Sequence, residues 1–374
     1  MRILVTGANG QVGHALLQAL AKKHPPQSPF AGEGGRKQHL LPEEGGRRAA
    51  PGGSALPACH IIPATRDGEC DSLLPPGEGA GVRVRACETV DLANLDALPR
   101  ALDRIAPDLI LNAAAYTAVD RAEDEPWLAQ RVNGDAVGVL GTWAARHGAR
   151  VVHYSTDYVF DGKASQPYRE TDPTHPVSVY GRSKLAGEIA LRESGARHLI
   201  FRTAWVYAAR GKNFLLTMLR LGAERDALRV VDDQVGAPTP ARLIAETTLQ
   251  VVAQWCAPPS AGRGSMRSIA GMSTPDGVYH LVASGQTSWC GFARAIFERA
   301  QRAGLIARAP MVHAIGTADY PTKAVRPAFS VLDTTRLQQA FGIALPDWQV
   351  ALDGVIAELR KAIPLDPPSC GRGK

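Results

Sequence analysis

The chain reads as an α/β protein built on a doubly wound parallel sheet, with a smaller C-terminal α/β lobe, and three observations predict this. Short apolar runs alternate with stretches of helical period through the N-terminal half. The first of those runs opens into a glycine-rich turn and then into a helix. A length of 374 residues with 45% hydrophobic content allows one large domain with its own core and a lobe besides.

Taken in order, strands are expected at 3–5, 61–62, 109–111, 151–153 and 199–201, with a helix over about 11–21 whose Leu16, Leu17 and Leu20 share one face. That alternation argues for a parallel sheet covered by helices on both sides. Three Gly- and Pro-rich stretches, 24–59, 68–84 and 258–277, break the pattern and read as surface insertions, the first of them basic and loosely held. Loop-closure cost rises only slowly with length, so insertions of this kind are tolerated. Helical patterns at 334–341 and 348–359 close the chain before a frayed tail, 365–374.

The net charge of +6 comes from dispersed Lys and Arg, and aromatic content is only 6%, so a nucleic-acid partner is not expected. A polyanionic small substrate accounts for the excess equally well. The run at 3–5 is too short for a secretory signal, and no uncharged apolar stretch is long enough for a membrane span, so a cytoplasmic protein without a membrane partner is expected. Cys59, Cys70, Cys87, Cys256, Cys290 and Cys370 form no C-x-x-C pair and read as free thiols. The histidines show no metal-ligand spacing, so no metal site is assigned.

Thr6-Gly7-Ala8-Asn9-Gly10-Gln11-Val12-Gly13 carries glycines in G-x-x-G-x-x-G spacing at a strand-to-helix junction, the position of a Rossmann-type dinucleotide turn. Gly7 permits the tight turn, Gly10 lets the backbone approach a pyrophosphate, and Gly13 lets helix and strand pack closely. At the end of the second strand Thr65 is followed by Arg66 rather than an acid, which suits a 2′-phosphate, so NADPH is expected, with NADH possible. Asp91 and Leu92 are placed near the adenine, and Ala113, Ala114 and Ala115 are small enough to let a cofactor approach the backbone. Residues 1–210 are therefore read as the NAD(P)-binding domain and 211–364 as mainly the substrate-binding lobe.

The strand at 151–153 runs into the hydroxyls of Ser155 and Thr156, and Tyr180-Gly181-Arg182-Ser183-Lys184 follows on an expected helix. Tyr180 and Lys184, four residues apart, project to one side. A nearby ammonium stabilises a phenolate and is expected to lower the tyrosine pKa, making Tyr180 a proton donor in carbonyl reduction. Thr156 would donate a hydrogen bond to the developing alkoxide, and Lys184 would also hold the nicotinamide ribose.

Taken together, these blocks resemble the dTDP-4-dehydrorhamnose reductases over nearly everything outside the three insertions. The blocks that carry the resemblance are Gly10-Gln11-Val12-Gly13, Asn112-Ala113-Ala114-Ala115-Tyr116-Thr117-Ala118-Val119-Asp120 and His153-Tyr154-Ser155-Thr156-Asp157-Tyr158-Val159-Phe160-Asp161-Gly162. They continue in Tyr180 to Lys184 with Leu185-Ala186-Gly187-Glu188, then Phe201-Arg202-Thr203-Ala204-Trp205-Val206-Tyr207, Asp233-Gln234-Val235-Gly236-Ala237-Pro238-Thr239 and Tyr279-His280-Leu281. The resemblance implies Thr156, Tyr180 and Lys184 as the catalytic trio, and Asp157 and Trp205 as substrate contacts. It also implies Gln11, Val12, Asp91, Leu92, Ala113, Ala114, Ala115 and Tyr154 as cofactor contacts. Trp205 as lobe core and Tyr154 as a buried strand aromatic stay open beside those roles. Metal-bridged dimeric members carry an acid early in the first helix, where this chain has His14-Ala15-Leu16, so magnesium is doubted and a monomer or a homodimer is left open.

On the lobe, Asn213, Gln234 and Arg326 are candidates for nucleotide and diphosphate contacts, Arg326 because a guanidinium binds phosphate oxygens bidentately. Arg326 as a plain surface arginine stays open. The implied reaction is reduction of the C4 ketone of dTDP-4-dehydro-6-deoxy-L-mannose, the last step to dTDP-L-rhamnose. A sugar-nucleotide 4-epimerase or 4,6-dehydratase shares the turn and the Tyr/Lys pair, and a non-catalytic nucleotide-binding regulatory subunit shares the fold.

Overall fold

The computed structural model describes residues 1–22, 59–70, 82–257 and 275–362. Its main sheet contains β1 (Arg2–Thr6), β2 (Cys59–Thr65), β3 (Val82–Val84), β4 (Glu88–Thr89), β5 (Leu109–Asn112), β6 (Arg150–Thr156) and β7 (Arg197–Thr203). Short strands β8 (Val206–Tyr207), β9 (Ala227–Val231), β10 (Val235–Gly236) and β11 (Thr239–Pro240) follow, then β12 (Gly277–His280), β13 (Thr287–Ser288) and β14 (Met311–Ile315). The helices are α1 (Gln11–Ala21), α2 (Leu98–Ile105), α3 (Val119–Ala122), α4 (Pro126–Gln130), α5 (Ala136–His147) and α6 (Val179–Glu193). After them come α7 (Phe214–Glu224), α8 (Ala241–Trp255), α9 (Trp289–Arg302), α10 (Thr335–Phe341) and α11 (Trp348–Ala362).

The main sheet runs β12-β7-β6-β5-β1-β2-β3, with β4 paired to β2, and every pairing in it is parallel. Alternation along β1 explains the double winding. Ile3 and Val5 face a core shared with Leu16, Leu17 and Leu20 of α1 and Ile244, Val251 and Trp255 of α8. Leu4 faces the opposite core, with Leu102 of α2, Leu140 and Trp143 of α5 and Leu191 of α6. This is the doubly wound α/β architecture that the alternating pattern predicts.

After residue 211 the chain divides between two cores. Helices α7, α9 and α11 pack around Phe292, Phe297, Leu352 and Ile356 into a lobe of their own. Helix α8, strand β12 and helix α10 return to the main sheet, where Tyr279 of β12 lies in register with Phe201.

The bounds of all three insertions and the reading of the cysteines need correction. Cys59 belongs to β2 and Val82 to Val84 form the edge strand β3, so neither insertion reaches the bounds read from composition; Gly277 likewise opens β12. The remainder of those insertions, 24–58, 71–81 and 258–274, and the tail 365–374 lie outside the described residues. Cys70 and Cys87 are joined in a disulfide rather than standing as free thiols. Pairing of β4 beside the end of β2 brings the two together across 17 residues, a proximity that local spacing does not signal. Among the described residues, Cys59, Cys256 and Cys290 are free.

Leu111 of β5 is fully buried in the core under α1 and α8. Leu111→Ala is expected to lower unfolding stability by about 2–5 kcal/mol, read as a shift of the urea midpoint with unchanged slope.

Candidate active site

In a parallel sheet the strand ends line up, so Thr6, Asn112 and Thr156 all emerge at one edge. The glycine turn sits at the end of β1. Gly7 has φ +66, and a Cβ there would meet the backbone of Ala114 at 2.7 Å. A Cβ on Gly13 would meet the Gly7 carbonyl at 2.1 Å, so α1 can approach β1 this closely only without side chains. Gly10 donates its N–H to that same Gly7 carbonyl (2.9 Å). The first helical bond of α1 then runs from His14 N–H to the Gly10 carbonyl (2.9 Å). Val12 packs against the core under α1, and Gln11 accepts a hydrogen bond from Asn213 across the turn (3.1 Å).

Around this turn the structure assembles the other cofactor candidates. Ala113, Ala114 and Ala115 are half-buried beside Gly7, with Ala114 N–H donating to Thr6 Oγ1. Arg66 is exposed at the end of β2, where Thr65 donates to Asp67 (3.0 Å). Asp91 accepts from the N–H of Ala93, and Leu92 is buried against α2. Tyr154 differs. Its side chain is turned into the core, where its hydroxyl donates to Thr248 (3.0 Å), and only its carbonyl faces the site.

The reactive residues converge at the end of β6. Ser178 caps α6 by accepting from Gly181 N–H, and the helix places Tyr180 and Lys184 on one side. Thr156 donates to Asp157 Oδ1 (2.9 Å) and accepts from Tyr158 N–H. Tyr158 lies edge-on to Tyr180, with ring centroids 5.6 Å apart. Glu188, one turn beyond Lys184, binds Arg202 of β7 through two hydrogen bonds (2.9 and 2.7 Å) and accepts from Ser155 of β6 (2.5 Å). Side-chain exposures of 3% and 1% mark this as a buried ion pair clamping α6 to the sheet.

Electrostatics at the centre depart from the expectation for Tyr180. Burial and the Asp157 carboxylate push its phenol up rather than down, a hydrogen bond with Thr156 offsetting part of the rise. Lys184 instead donates to the Tyr154 carbonyl (2.6 Å) and faces His153. Burial lowers Lys184 to about 8, with Glu188 opposing the shift. Asp157 is raised to about 6 by burial, against the pull of Ser330 and Thr156.

Lobe residues reach the site from the opposite side. Trp205 sits at φ 47, a conformation costing about 1–3 kcal/mol for a non-glycine residue. Its ring stacks on Trp289 at 3.5 Å and covers Gly236. Arg326 forms a two-point ion pair with Asp120 of α3 and acts electrostatically on Tyr158. Gln234 is buried and donates to Thr317, whereas Asn213 caps α7 and spends its amide on Gln11, Ala208 and Arg210. Thr156, Asp157, Tyr180, Lys184 and Arg326 thus share one neighbourhood, while Asn213 tethers the lobe to the glycine turn.

The family model described as the RmlD substrate binding domain matches residues 71–361. A dTDP-4-dehydrorhamnose reductase of Burkholderia thailandensis is 42% identical over 361 residues, covering 96% of this chain and 99% of that relative. The chain belongs to the dTDP-4-dehydrorhamnose reductase family. Solved structures agree with this: a reductase of that description from Clostridium acetobutylicum superposes with TM-score 0.71 at 29% identity, covering 96% of this chain and all of that one. Another, from Bacillus anthracis in complex with NADP, gives 0.70 at 26%, with 96% and 99% covered.

Sequence reasoning on this family member left Asp120, His153, Tyr158 and Glu188 without roles, although each lies inside a block that carried the resemblance. For His153, Tyr158 and Glu188 the signal was closeness in sequence to Thr156 and Lys184; for Asp120 it was membership of its block alone. Asn133 had none: it sits in a π-turn, Arg131–Asp135, and bonds both backbone groups of Tyr116 and the Ser183 hydroxyl. Among the described residues no cluster of His, Cys, Asp and Glu could hold a metal ion, and no helix is long and apolar enough to cross a membrane.

The raised Asp157 gives a signed prediction. Its folded form binds a proton up to about pH 6 and the unfolded chain only up to about 4, so stability falls as pH rises through that window. Asp157→Asn is expected to flatten the slope of unfolding free energy between those pH values, as followed by urea titration.

Proposed function

We propose that this chain catalyses the NADPH-dependent reduction of the C4 ketone of dTDP-4-dehydro-6-deoxy-L-mannose to dTDP-L-rhamnose. One observation carries the reading: in a chain of this family, Thr156, Asp157 and Tyr180 converge at the end of β6, with Lys184 one turn along the helix. The glycine turn, where added Cβ atoms would collide, fits a dinucleotide, and the NADP held by the Bacillus anthracis relative supports the phosphorylated form. Arg66 would meet the 2′-phosphate, and Gly7, Gly10, Gln11, Val12 and Gly13 the pyrophosphate. His14 bonds Gln18 where a carboxylate would be needed, so the reading includes no magnesium-bridged dimer.

Bound NADPH supplies a hydride to the substrate ketone. The chain supplies a proton and a charged environment. Tyr180, held protonated by burial and Asp157, donates to the carbonyl oxygen as charge develops there. Thr156, whose hydroxyl rests on Asp157, turns to the same oxygen and orients it. The Lys184 ammonium, on the same helix face as Tyr180, stabilises the phenolate that donation leaves. Arg326 fits the substrate diphosphate, exchanging Asp120 for phosphate oxygens, and Trp205 with its partner Trp289 offers a flat apolar wall to the nucleotide sugar. The lobe around α7, α9 and α11 would close over that substrate.

NADPH oxidation followed with dTDP-4-dehydro-L-rhamnose tests the reading. Tyr180→Phe is expected to lower kcat about 10²–10⁴-fold while still binding NADPH, the loss typical of a general acid. Full turnover in the variant, or cofactor binding without oxidation in the wild type, contradicts it. Arg66→Ala is expected to weaken NADPH binding about tenfold, or somewhat more, and leave NADH binding unchanged, as measured by fluorescence titration.

A further inference from the structure

His153 lies one residue before Tyr154 in β6 and is fully buried. No step above uses it. Its position is set by register: Thr6 of β1 pairs with Asn112 of β5, which pairs with His153 of β6, so three polar side chains lie in one row across three central strands. All three are 1% exposed or less. An isolated polar group in such a core is costly, but here the row is continuously bonded. Thr6 donates to Asn112 Oδ1 (2.6 Å), Asn112 Nδ2 meets His153 Nδ1 (3.0 Å), and His153 Nε2 meets Lys184 Nζ (3.3 Å).

The row therefore ends on the lysine of the proposed active site. We propose that His153 is a positioning residue that holds Lys184 and, through Nε2, sets the pH at which the lysine loses its charge. This rests on the functional reading above and deepens it. A neutral imidazole has one donor and one acceptor nitrogen, so the partner at Nδ1 constrains what Nε2 offers the lysine. Burial and the lysine's own charge hold the ring neutral, well below its ordinary range. An ammonium requires the Nε2 lone pair, with the ring proton on Nδ1 and the Asn112 carbonyl turned towards it. A neutral amine instead accepts Nε2–H, with the Asn112 amide donating to Nδ1. The structure shows the second arrangement, with Thr6 on Asn112 Oδ1 and Asn112 Nδ2 on the ring. Turning the Asn112 amide gives the first, Thr6 Oγ1 then accepting from Nδ2, and because the hydrogen bond to the charged form is the stronger, His153 favours the ammonium.

Among the described residues, the charged group acting on Lys184 from its own helix is Glu188, and Arg202 of β7 reaches it through Glu188; Tyr180 lies one turn earlier on that helix. Asp157, at the end of β6, acts on Tyr180. Glu188 opposes the effect of burial on Lys184 but is already paired with Arg202, which leaves Nε2 of His153, among the described residues, as the side-chain nitrogen facing Nζ.

The test compares the pH profile of kcat for wild type, His153→Leu and His153→Gln, from neutral to alkaline pH, with NADPH saturating. Losing the acceptor destabilises the ammonium, so the alkaline limb of His153→Leu is expected to move down by about one pH unit. Gln, whose amide reaches the Nε2 position, is expected to restore it. A leucine variant whose limb coincides with wild type, or a glutamine variant that shifts as far as leucine, overturns the proposal. Should His153→Leu fail to fold, nitrogen-15 spectra of the wild-type imidazoles decide. The His153 ring nitrogens are expected to exchange their protonated and unprotonated signatures as Lys184 titrates, and to stop doing so in Lys184→Met; a ring that does not respond to pH overturns the proposal. That readout needs no substrate. An active Tyr180→Phe would defeat the functional reading while leaving the imidazole titration intact.

Discussion

The buried pair between Glu188 and Arg202 holds the active site together. Helix α6 brings both Tyr180 and Lys184, yet nothing in helix geometry alone places them against the end of β6. The carboxylate does this by binding Arg202 from β7 and Ser155 from β6 at once, so one side chain joins the helix to two adjacent strands. A pair this deep is weak evidence for added stability, because two charges leave water, but removing one partner strands the other. Its value here is positional: the phenol, the lysine and the Thr156 hydroxyl keep one relative arrangement.

The same economy explains the central strands. Their outward-facing positions are apolar on both sides until the carboxyl ends, where Thr6, Asn112, His153 and Ser155 replace hydrocarbon with polar groups on the α6 face. Burying so many polar groups is tolerable because each finds a partner in the next strand or in α6. The polar row and the ion pair thus converge on one helix from below, while the glycine turn shapes the neighbouring surface for a dinucleotide. The lobe adds aromatic surface through Trp205 and Trp289 and positive charge through Arg326. Asn213 joins it to the glycine turn by bonding Gln11.

Asp157 and Tyr180 show how burial sets the chemistry. In water the carboxylate would be ionised and the phenol neutral with room to spare. Inside the site, desolvation raises both, and the Asp157 charge raises Tyr180 further. Tyr180 is therefore a secure holder of its proton until negative charge appears on a neighbouring oxygen. The lysine, lowered to about 8 by the same burial, sits close to its own titration and responds to whatever its neighbours accept or donate.

The sequence by itself determined the strand-and-helix alternation, the glycine turn and the Tyr180/Lys184 spacing, because each rests on local periodicity or on a motif contained in a few residues. Thr156 was legible for the same reason, lying where an apolar strand ends, whereas Asp157 came in only through the family resemblance. What only the tertiary structure decided were relations between distant segments. The return of α8 and β12 to the main sheet depends on which faces pack, and the joining of Cys70 to Cys87 depends on the pairing of β4 with β2. The capture of Arg326 by Asp120 links positions 206 residues apart. The resemblance implied a cofactor contact for Tyr154 and left a buried strand aromatic open beside it; strand alternation turns its side chain into the core and turns His153, one residue earlier, towards Lys184. The direction of the Tyr180 shift was likewise hidden, since it follows from burial and from Asp157, quantities that exist only once the chain has closed around them.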